Sequence, residues 1–414
     1  MENHLAPFMA TGQALLGIVA IFFASYLLSN DRKAINWRSA FIGLAMTVAV
    51  CLLVLKVPLT RDFFNWLGQG INKLLDYAVE GAAFVVGDEL AHGKFIFAVR
   101  VGSSIIFISM LSSLFYYFGW LQFIIKKMAY VLMRALGVSA PEAFSTAAAV
   151  FVGQVECQVL IRPYVKALSP SELFTSMAAA MATISGSALV AYTALGMPTP
   201  WLMAASIMSA CGGLTIAKII WPETNKRVLA GEVEIIDEHK SANAFDALTK
   251  GALTGWEIVV NVMVMVMGAI AFIALVNGIL AATLHFGGSA VQIQDIFGYA
   301  FWPVAWLIGV PPAECMHVGR LMATEFLLNE YVSYGELAKV MQGTGTYTLA
   351  PHTQMIATVA LCGFANLGSI GINIGGLGAM APERRGEIAR MAFKALIAAN
   401  LATHLSAAVV GLVS

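Results

Sequence analysis

Long apolar segments recur along the chain and are separated by short polar connections. Several reach or exceed the roughly 20 residues that a helix needs to cross a bilayer. We predict about eight transmembrane helices, at residues 9–29, 38–58, 96–120, 172–196, 201–221, 256–284, 354–380 and 391–413. The first segment is too long for the core of a signal peptide and has no basic leader, so we expect it to remain in the protein.

Two polar stretches, at residues 141–165 and 297–332, interrupt this pattern. We predict that each is a re-entrant helical hairpin that enters and leaves the membrane on one side. Residues 61–80 and 121–136 alternate apolar and polar positions at helical spacing, which is typical of helices that lie in the membrane interface. Ordinary connecting helices are the alternative for these two segments. The pattern therefore predicts an all-α membrane protein.

Composition supports a membrane protein, because 59% of the 414 residues are hydrophobic and only 12% are charged. Soluble domains carry about 25% charged residues. The mean hydropathy is +0.78. The net charge of zero gives no basic face for nucleic acid. The five cysteines are scattered through apolar segments without a CxxC pair, and we expect no cofactor.

Basic residues predict the orientation of the spans, since they collect in cytoplasmic loops. The clusters in the short connections are Arg32, Lys33 and Arg38; Lys126, Lys127 and Arg134; Lys226, Arg227, Lys240 and Lys250; and Arg384, Arg385, Arg390 and Lys394. Placing all four clusters in the cytoplasm puts both termini on the periplasmic side of a bacterial inner membrane. This count of crossings requires both polar stretches to be hairpins.

The two halves of the chain resemble each other, which predicts an inverted repeat. Each half has a polar hairpin followed by a span that Gly and Ser interrupt, near Ser185 and near Asn366. Paired interruptions of this kind indicate a transporter binding site. The GxxxG pair Gly371 and Gly375 is interpreted as a helix-packing feature.

The same pattern predicts a division into domains. The parts are residues 1–136, with spans one to three and the interfacial helices; 137–221, with hairpin one and spans four and five; 222–250, a cytoplasmic loop; 251–290, with span six; and 291–414, with hairpin two and spans seven and eight.

Glu156 and Glu330 are the candidate chemical groups, because a carboxylate at membrane depth is costly unless it faces a cavity or a partner. Each has an amide nearby, Gln154 and Asn329 respectively. One interpretation pairs the two carboxylates with Arg162 or Arg320 as structural ion pairs. The other makes them hydrogen-bond acceptors for a polar solute.

Motifs of the common enzyme classes are missing from the sequence. It contains no HExxH, GxxxxGK[ST] or GxSxG pattern, and Glu314 with His317 gives a single ExxH step. We therefore expect a transporter and not an enzyme.

Three motifs resemble those of the concentrative nucleoside transporter family over nearly the whole chain. They are Gly153-Gln154-x-Glu156 with Ile161-Arg162-Pro163-Tyr164, then Asn329-Glu330-Tyr331-Val332, then Cys362-Gly363-Phe364-Ala365-Asn366-x-x-Ser369-Ile370. The resemblance implies a homotrimer that imports nucleosides by cation-coupled symport. It also implies that residues 137–221 and 291–414 form the two halves of a transport domain that carries both hairpins. This domain would move like an elevator past a scaffold made mainly of residues 1–136 together with 251–290.

The resemblance also implies roles for single residues. Gln154 and Glu156 would contact the nucleobase, with Phe364 packing near it. Glu330, Asn366 and Ser369 would hold the ribose hydroxyls. The substrate-binding residues expected by this resemblance are Gln154, Val155, Glu156, Ala188, Glu330, Phe364, Asn366 and Ser369.

Two departures from the family pattern bear on specificity and coupling. Val155 stands where the family usually has a hydroxyl residue, which puts the base preference in doubt. Ala149 stands where the family's sodium site uses an asparagine; of the other matching positions, Val152, Thr183 and Ile184, only Thr183 has a side-chain oxygen. We therefore expect a weakened sodium site and coupling to protons more than to sodium.

Proton coupling requires a carboxyl group that holds a proton near neutral pH, which burial favours. Glu156 and Glu330 are the candidates from sequence. Sodium-coupled nucleoside symport is the alternative, and a passive channel for small polar solutes is a weaker one. The sequence does not rank purines against pyrimidines.

Overall fold

The fold is almost entirely helical, which confirms the predicted all-α class. The computed structural model describes residues 2–93, 96–224, 241–283, 285–286 and 289–414. The helices of the first half are α1 Glu2–Leu27, α2 Trp37–Leu55, α3 Pro58–Val86, α4 Asp88–His92, α5 Phe97–Tyr117, α6 Trp120–Leu136, α7 Ala140–Ala149, α8 Glu156–Val159, α9 Arg162–Val165, α10 Pro170–Ala182, α11 Gly186–Ala194 and α12 Thr199–Ile220.

The second half begins with the longest described helix. Its helices are α13 Ala244–Thr283, α14 Ile293–Leu307, α15 Cys315–Leu327, α16 Glu330–Met341, α17 Pro351–Ala360, α18 Leu367–Met380 and α19 Arg385–Val413. A two-residue antiparallel pair joins β1 His285–Phe286 to β2 Ser289–Ala290. Lys226, Arg227 and Lys240 of the third basic cluster lie outside the described residues.

Six of the described helical segments are long and apolar enough to cross a membrane. They are Trp37–Leu55, Ala98–Tyr117, Pro170–Ala194, Thr199–Ile220, Ala244–Thr283 and Pro382–Val413, and the shorter apolar helices are Thr11–Leu27 and Leu367–Met380. These segments fall on the predicted spans. The chain is a multi-pass membrane protein.

Two of the predicted spans are each built from two shorter helices. The first breaks between α10 and α11, where Ser185 caps α11 by accepting a hydrogen bond from the backbone N–H of Ala188 at 3.2 Å. The second breaks between α17 and α18, where Asn366 caps α18 in the same way through Ser369. Each cap satisfies a backbone donor that the break exposes. The breaks occur where Gly and Ser predicted them.

The polar stretches form helical hairpins, one from α7 to α9 and one from α15 and α16. The first matches its predicted bounds. The second begins and ends later than predicted, because residues 297–307 belong to α14 and α16 continues to Met341. Gly309, with φ of 101°, and the two prolines Pro311 and Pro312 end α14 and separate it from α15.

The helices form two sets by their packing. α13 packs mainly along α5, while α1 and α2 pack along α12 and α19. Close approach of α13 to α5 requires glycine: a Cβ at Gly251 would lie 2.6 Å from the carbonyl oxygen of Ser109, and one at Gly255 would lie 2.7 Å from the Cα of Ile106.

The packing role predicted for Gly371 and Gly375 is wrong for the described residues. A Cβ at either position would meet no atom within 4 Å. The closely packed GxxxG pair is Gly251 and Gly255, because there two helix backbones meet directly.

Candidate functional site

A cavity of about 270 Å³ lies between the two hairpins and the two helix breaks. Its wall on one side comes from α13. The lining residues are Gly153, Gln154, Val155, Glu156, Ser185, Ser187, Ala188, Ile258, Asn261, Val262, Met265, Val266, Asn329, Glu330, Tyr331, Phe364, Asn366, Ser369 and Ile372. Polar groups of the hairpins and breaks thus face a wall that is apolar except for Asn261, and such a mixed lining is common in small-molecule sites.

Glu330 is held on both carboxylate oxygens. It is the first residue of α16 and is only 3% exposed. The hydroxyl of Tyr192 donates to Oε1 at 2.8 Å, and Nδ2 of Asn366 donates to Oε2 at 3.0 Å. These two donors fix the carboxylate at the edge of the cavity.

Asn366 links the break in the second span to Glu330. Its Oδ1 accepts from the backbone N–H of Ser369 at 3.1 Å and lies 3.3 Å from the Ser369 hydroxyl. Because the cap occupies Oδ1, the amide Nδ2 must point toward Glu330. Asn329 caps α16 in the same manner, accepting from the N–H of Val332 at 3.0 Å.

The tip of the first hairpin presents groups that have no partner in the described protein. Gln154 is 7% exposed, and its Oε1 accepts no hydrogen bond. Glu156 is exposed toward the cavity, with its carboxylate folded over Gly153, and it has no ion pair among the described residues. Buried acceptors without donors are uncommon in proteins, so this tip is suited to receive hydrogen bonds from a bound solute.

Hydrogen bonds hold the two hairpins and the two breaks together. Gln158 donates from Nε2 to Oδ1 of Asn373 at 2.7 Å, which ties the first hairpin to α18. The N–H of Gly186 donates to the carbonyl of Phe151 at 2.9 Å, which ties the same hairpin to the first break. The cavity is therefore built on a connected frame.

All eight residues expected to bind substrate line this one cavity. Glu330 does not pair with Arg320; that arginine contacts Asp295 at 3.0 Å and Oε1 of Gln292 at 2.9 Å. The structural ion-pair interpretation therefore fails for Glu330, and Glu156 forms no ion pair among the described residues.

The expected sodium positions carry few oxygen ligands on their side chains. Thr183 is fully buried, and its hydroxyl donates to the carbonyl of Ala179 at 3.1 Å. Ala149, Val152 and Ile184 have no side-chain oxygen. In the described part of the chain, no group of three or more His, Cys, Asp or Glu residues is placed to hold a metal ion.

Several residues of the site were not predicted. Tyr192 and the apolar cavity-facing residues of α13 lie in apolar spans, where nothing in the sequence distinguishes them from packing positions. Asn261 of α13 did have a signal, because it is an amide inside an apolar span. A signal did exist for Gln158 and Asn373, because each stands one helical turn after an expected site residue, Gln154 and Ser369.

Comparison with known proteins gives matches over most of the chain. "Na+ dependent nucleoside transporter N-terminus" matches residues 16–89, "Nucleoside recognition" matches 98–199, and "Na+ dependent nucleoside transporter C-terminus" matches 201–411. An uncharacterised transporter of Haemophilus influenzae is 40% identical over 409 residues, covering 98% of each chain.

Two further relatives have names that state a transport role. A nucleoside permease of Helicobacter pylori is 35% identical over 407 residues, covering 96% of this chain and 97% of that protein. Solute carrier family 28 member 3 of Homo sapiens is 34% identical over 414 residues, covering 96% of this chain and 59% of that protein.

Solved structures of the transporter CNTnw have the same fold. An inward-facing, substrate-bound state is 38% identical with a TM-score of 0.91, covering 98% of this chain and 99% of that chain. A doubly substituted variant in an outward-facing state is 38% identical with a TM-score of 0.93, covering 98% of each chain. The chain is therefore similar to CNTnw structures in both an inward-facing and an outward-facing state.

Proposed function

The chain belongs to the concentrative nucleoside transporter family, and from this membership we propose that it imports nucleosides by cation-coupled symport, with protons favoured over sodium. The observation that carries the proposal is the single cavity that Glu156 and Glu330 share between the two hairpins. The protein is a nucleoside transporter and not an enzyme.

The substrate lies, in this proposal, with its ribose at Glu330 and its base at the first hairpin. A ribose has paired hydroxyl donors, which suit a carboxylate that already faces the cavity. The base has both donors and acceptors, which suit the unpartnered amide oxygen of Gln154 and the carboxylate of Glu156. Val155 and Ala188 complete the base subsite, Phe364 packs beside the base, and Asn366 and Ser369 support the ribose.

Proton coupling is proposed because the sodium positions are poor in ligands. Sodium prefers several oxygen ligands, and Ala149, Val152 and Ile184 can offer only backbone carbonyls. The family descriptions name sodium, so sodium symport is the competing function.

Transport in an elevator fashion is supported by the two packing sets. α13, which packs along α5, forms one wall of the cavity, and both hairpins and both breaks lie on the other side. We propose that the helices of the hairpins and breaks, together with α12 and α19, form a second set that moves along the first set, α5 and α13. Residues 1–55, assigned to the scaffold from sequence, include α1 and α2, whose packing on α12 and α19 favours placing them with the moving part.

The orientation and assembly are further parts of the proposal. Residues next to three basic clusters meet at one end of the fold: Lys394 of the fourth cluster contacts Asn30, the N–H of Asn30 donates to the carbonyl of Ile220, and the Ser39 hydroxyl donates to Leu136 at the end of α6. We place that end in the cytoplasm of a bacterial inner membrane, with both termini periplasmic. The expected assembly is a homotrimer.

Uptake in proteoliposomes tests the function and the coupling ion. Labelled uridine and adenosine should accumulate inside when a proton gradient is imposed and sodium is replaced by choline, and accumulation should collapse with a protonophore. Accumulation that requires sodium and ignores the protonophore would favour sodium symport. Flux that only equalises the two sides would indicate a passive channel.

A further inference from the structure

Glu325 is a buried carboxyl group that does not line the cavity. It lies on α15, one turn before the tip of the second hairpin, and is 1% exposed. Its Oε1 has no hydrogen-bond partner, and no basic side chain of the described residues forms an ion pair with it. An ionised carboxylate in such surroundings is far more costly than a neutral carboxylic acid.

Glu330, five residues further on, has the opposite surroundings. Both of its oxygens accept hydrogen bonds, from Tyr192 and from Asn366, and the cap of α18 fixes the orientation of the Asn366 amide. Two acceptor oxygens facing two donors suit the ionised form. The surroundings in this hairpin therefore stabilise the ionised form of Glu330 and the neutral form of Glu325.

Few titratable groups face Glu325 from the neighbouring helices. Glu330 and Tyr334 of α16 and Cys362 of the second break act on it electrostatically. The remaining titratable side chains of α14 and α17 are Asp295, paired with Arg320, Tyr299, which is 69% exposed, and His352, bonded to Ser414. No described neighbour is a cation that could neutralise an ionised Glu325.

We propose, on the basis of the proton-coupled symport above, that Glu325 is the binding site of the coupling proton. Glu330 then stays ionised and accepts the hydroxyls of the nucleoside. Two buried carboxylates this close in the chain repel when both are ionised. A proton on Glu325 removes that repulsion and keeps Glu330 in its acceptor form, so protonation strengthens nucleoside binding.

Linkage makes this effect reciprocal: bound nucleoside favours the protonated form of Glu325 by the same factor. Glu325 takes up one proton on the side where the nucleoside binds and releases it on the side where the nucleoside leaves. The carboxylate is thereby restored and the charges balance over one cycle.

The test compares Glu325→Gln with Glu336→Gln in proteoliposomes that contain a pH-sensitive dye. Glutamine imitates the neutral acid but has no group that takes up or releases a proton near neutral pH. Glu336 is a half-buried carboxylate of the same hairpin that accepts a hydrogen bond from Tyr347 at 3.2 Å, and it is the matched control. Both variants should exchange internal for external uridine. Only Glu325→Gln should lose uridine-driven proton influx, and its accumulation ratio should fall to unity.

Infrared difference spectra of the wild-type protein extend the test if Glu325→Gln does not fold. Adding uridine near neutral pH should increase the band of a protonated carboxylic acid, and Glu325→Asp should shift that band. Unchanged proton influx in Glu325→Gln, or no carboxylic acid band in the wild type, would overturn the proposal. Sodium-driven accumulation by the wild type without proton influx would instead refute proton coupling, and absence of exchange of both uridine and adenosine would refute nucleoside transport.

Discussion

Glu156 and Glu330 face the same cavity, but the protein holds them differently. Glu330 is fixed by Tyr192 and Asn366 from two other helices, whereas Glu156 has no ion pair among the described residues. Glu330 therefore contributes to the fold as well as to the proposed binding site. Glu156 contributes to the proposed binding site alone, since the folded protein gives its carboxylate no ion pair in the described part of the chain.

This difference predicts separate effects of two matched substitutions. Glu156→Gln should weaken nucleoside binding by about ten- to a hundred-fold, because a hydrogen bond to a charged group contributes roughly 1.5–3 kcal/mol. The melting temperature should not change. Glu330→Gln should weaken binding and also lower the melting temperature, because one of the two donors loses its acceptor at about 1–3 kcal/mol.

Equilibrium binding and thermal unfolding of both purified variants check this prediction. A drop in melting temperature for Glu156→Gln equal to that of Glu330→Gln would show that Glu156 also braces the fold. Wild-type affinity in Glu156→Gln would remove it from the binding site.

The motifs in the sequence identified the polar residues that line the cavity, but they did not identify the residues that support the cavity from behind. The amides and carboxylates stood out, since such groups are rare in apolar segments. Tyr192 did not, because an aromatic residue in a span is ordinary, and its contact with Glu330 joins positions 138 residues apart. Glu325 was visible as a carboxylate, yet only the three-dimensional fold reveals that its Oε1 has no partner.

At the scale of elements, the first hairpin is docked onto α18 by one hydrogen bond and one close contact. The bond joins Gln158 to Asn373. The contact is between Val155 and Gly376, where a Cβ on the glycine would lie 2.8 Å from Cγ1 and 3.0 Å from Cγ2 of the valine. Val155 thus contacts α18 as well as the cavity.

Gly376→Ala should therefore lower the melting temperature. Valine is stiff at χ1 and cannot move aside freely, and such overpacking costs about 1–3 kcal/mol. Val155→Ala in the same protein should restore most of the loss, because it removes both methyl groups. Gly375→Ala is the control, since a Cβ there meets no described atom within 4 Å. Equal losses in Gly375→Ala and Gly376→Ala would mean that backbone freedom, not this contact, is responsible.

Element types were predictable from periodicity, whereas the packing partners of the elements were not. Breaks in two spans followed from local Gly, Ser and Asn, whose effects are confined to a few residues. The predicted end of the second hairpin was wrong, because the polar residues of the hairpin do not mark where α16 ends. The glycines that allow close packing could not be chosen from spacing, since Gly251–Gly255 and Gly371–Gly375 have the same pattern and different neighbours.

At the scale of the molecule, the cavity lies between two sets of helices. Its mainly apolar side belongs to α13, and its polar side belongs to the hairpins and breaks. If the second set carries the nucleoside along the first, the contact between them must change in every cycle. A bond across this contact should then stop transport, and a bond inside the moving set should not.

Met265 of α13 and Gly368 of α18 provide the first case. A Cβ built at Gly368 lies 3.3 Å from Cε of Met265. Ser209 of α12 and Ser406 of α19 provide the control, because their hydroxyl oxygens are 3.3 Å apart within the moving set. Cross-linking Met265→Cys/Gly368→Cys with a short bifunctional thiol reagent should abolish uridine uptake, and a reagent with a reducible spacer should allow recovery.

Cross-linked Ser209→Cys/Ser406→Cys should keep most of its uptake. Any decrease in this variant measures the loss of uptake that the reagent itself causes. The five native cysteines are buried, so the wild-type protein should react little and serves as the blank. Uptake at the wild-type rate by fully cross-linked Met265→Cys/Gly368→Cys would mean that α13 and α18 stay together during transport. Because α13 forms one wall of the cavity, alternating access would then have to come from motion of the hairpins alone.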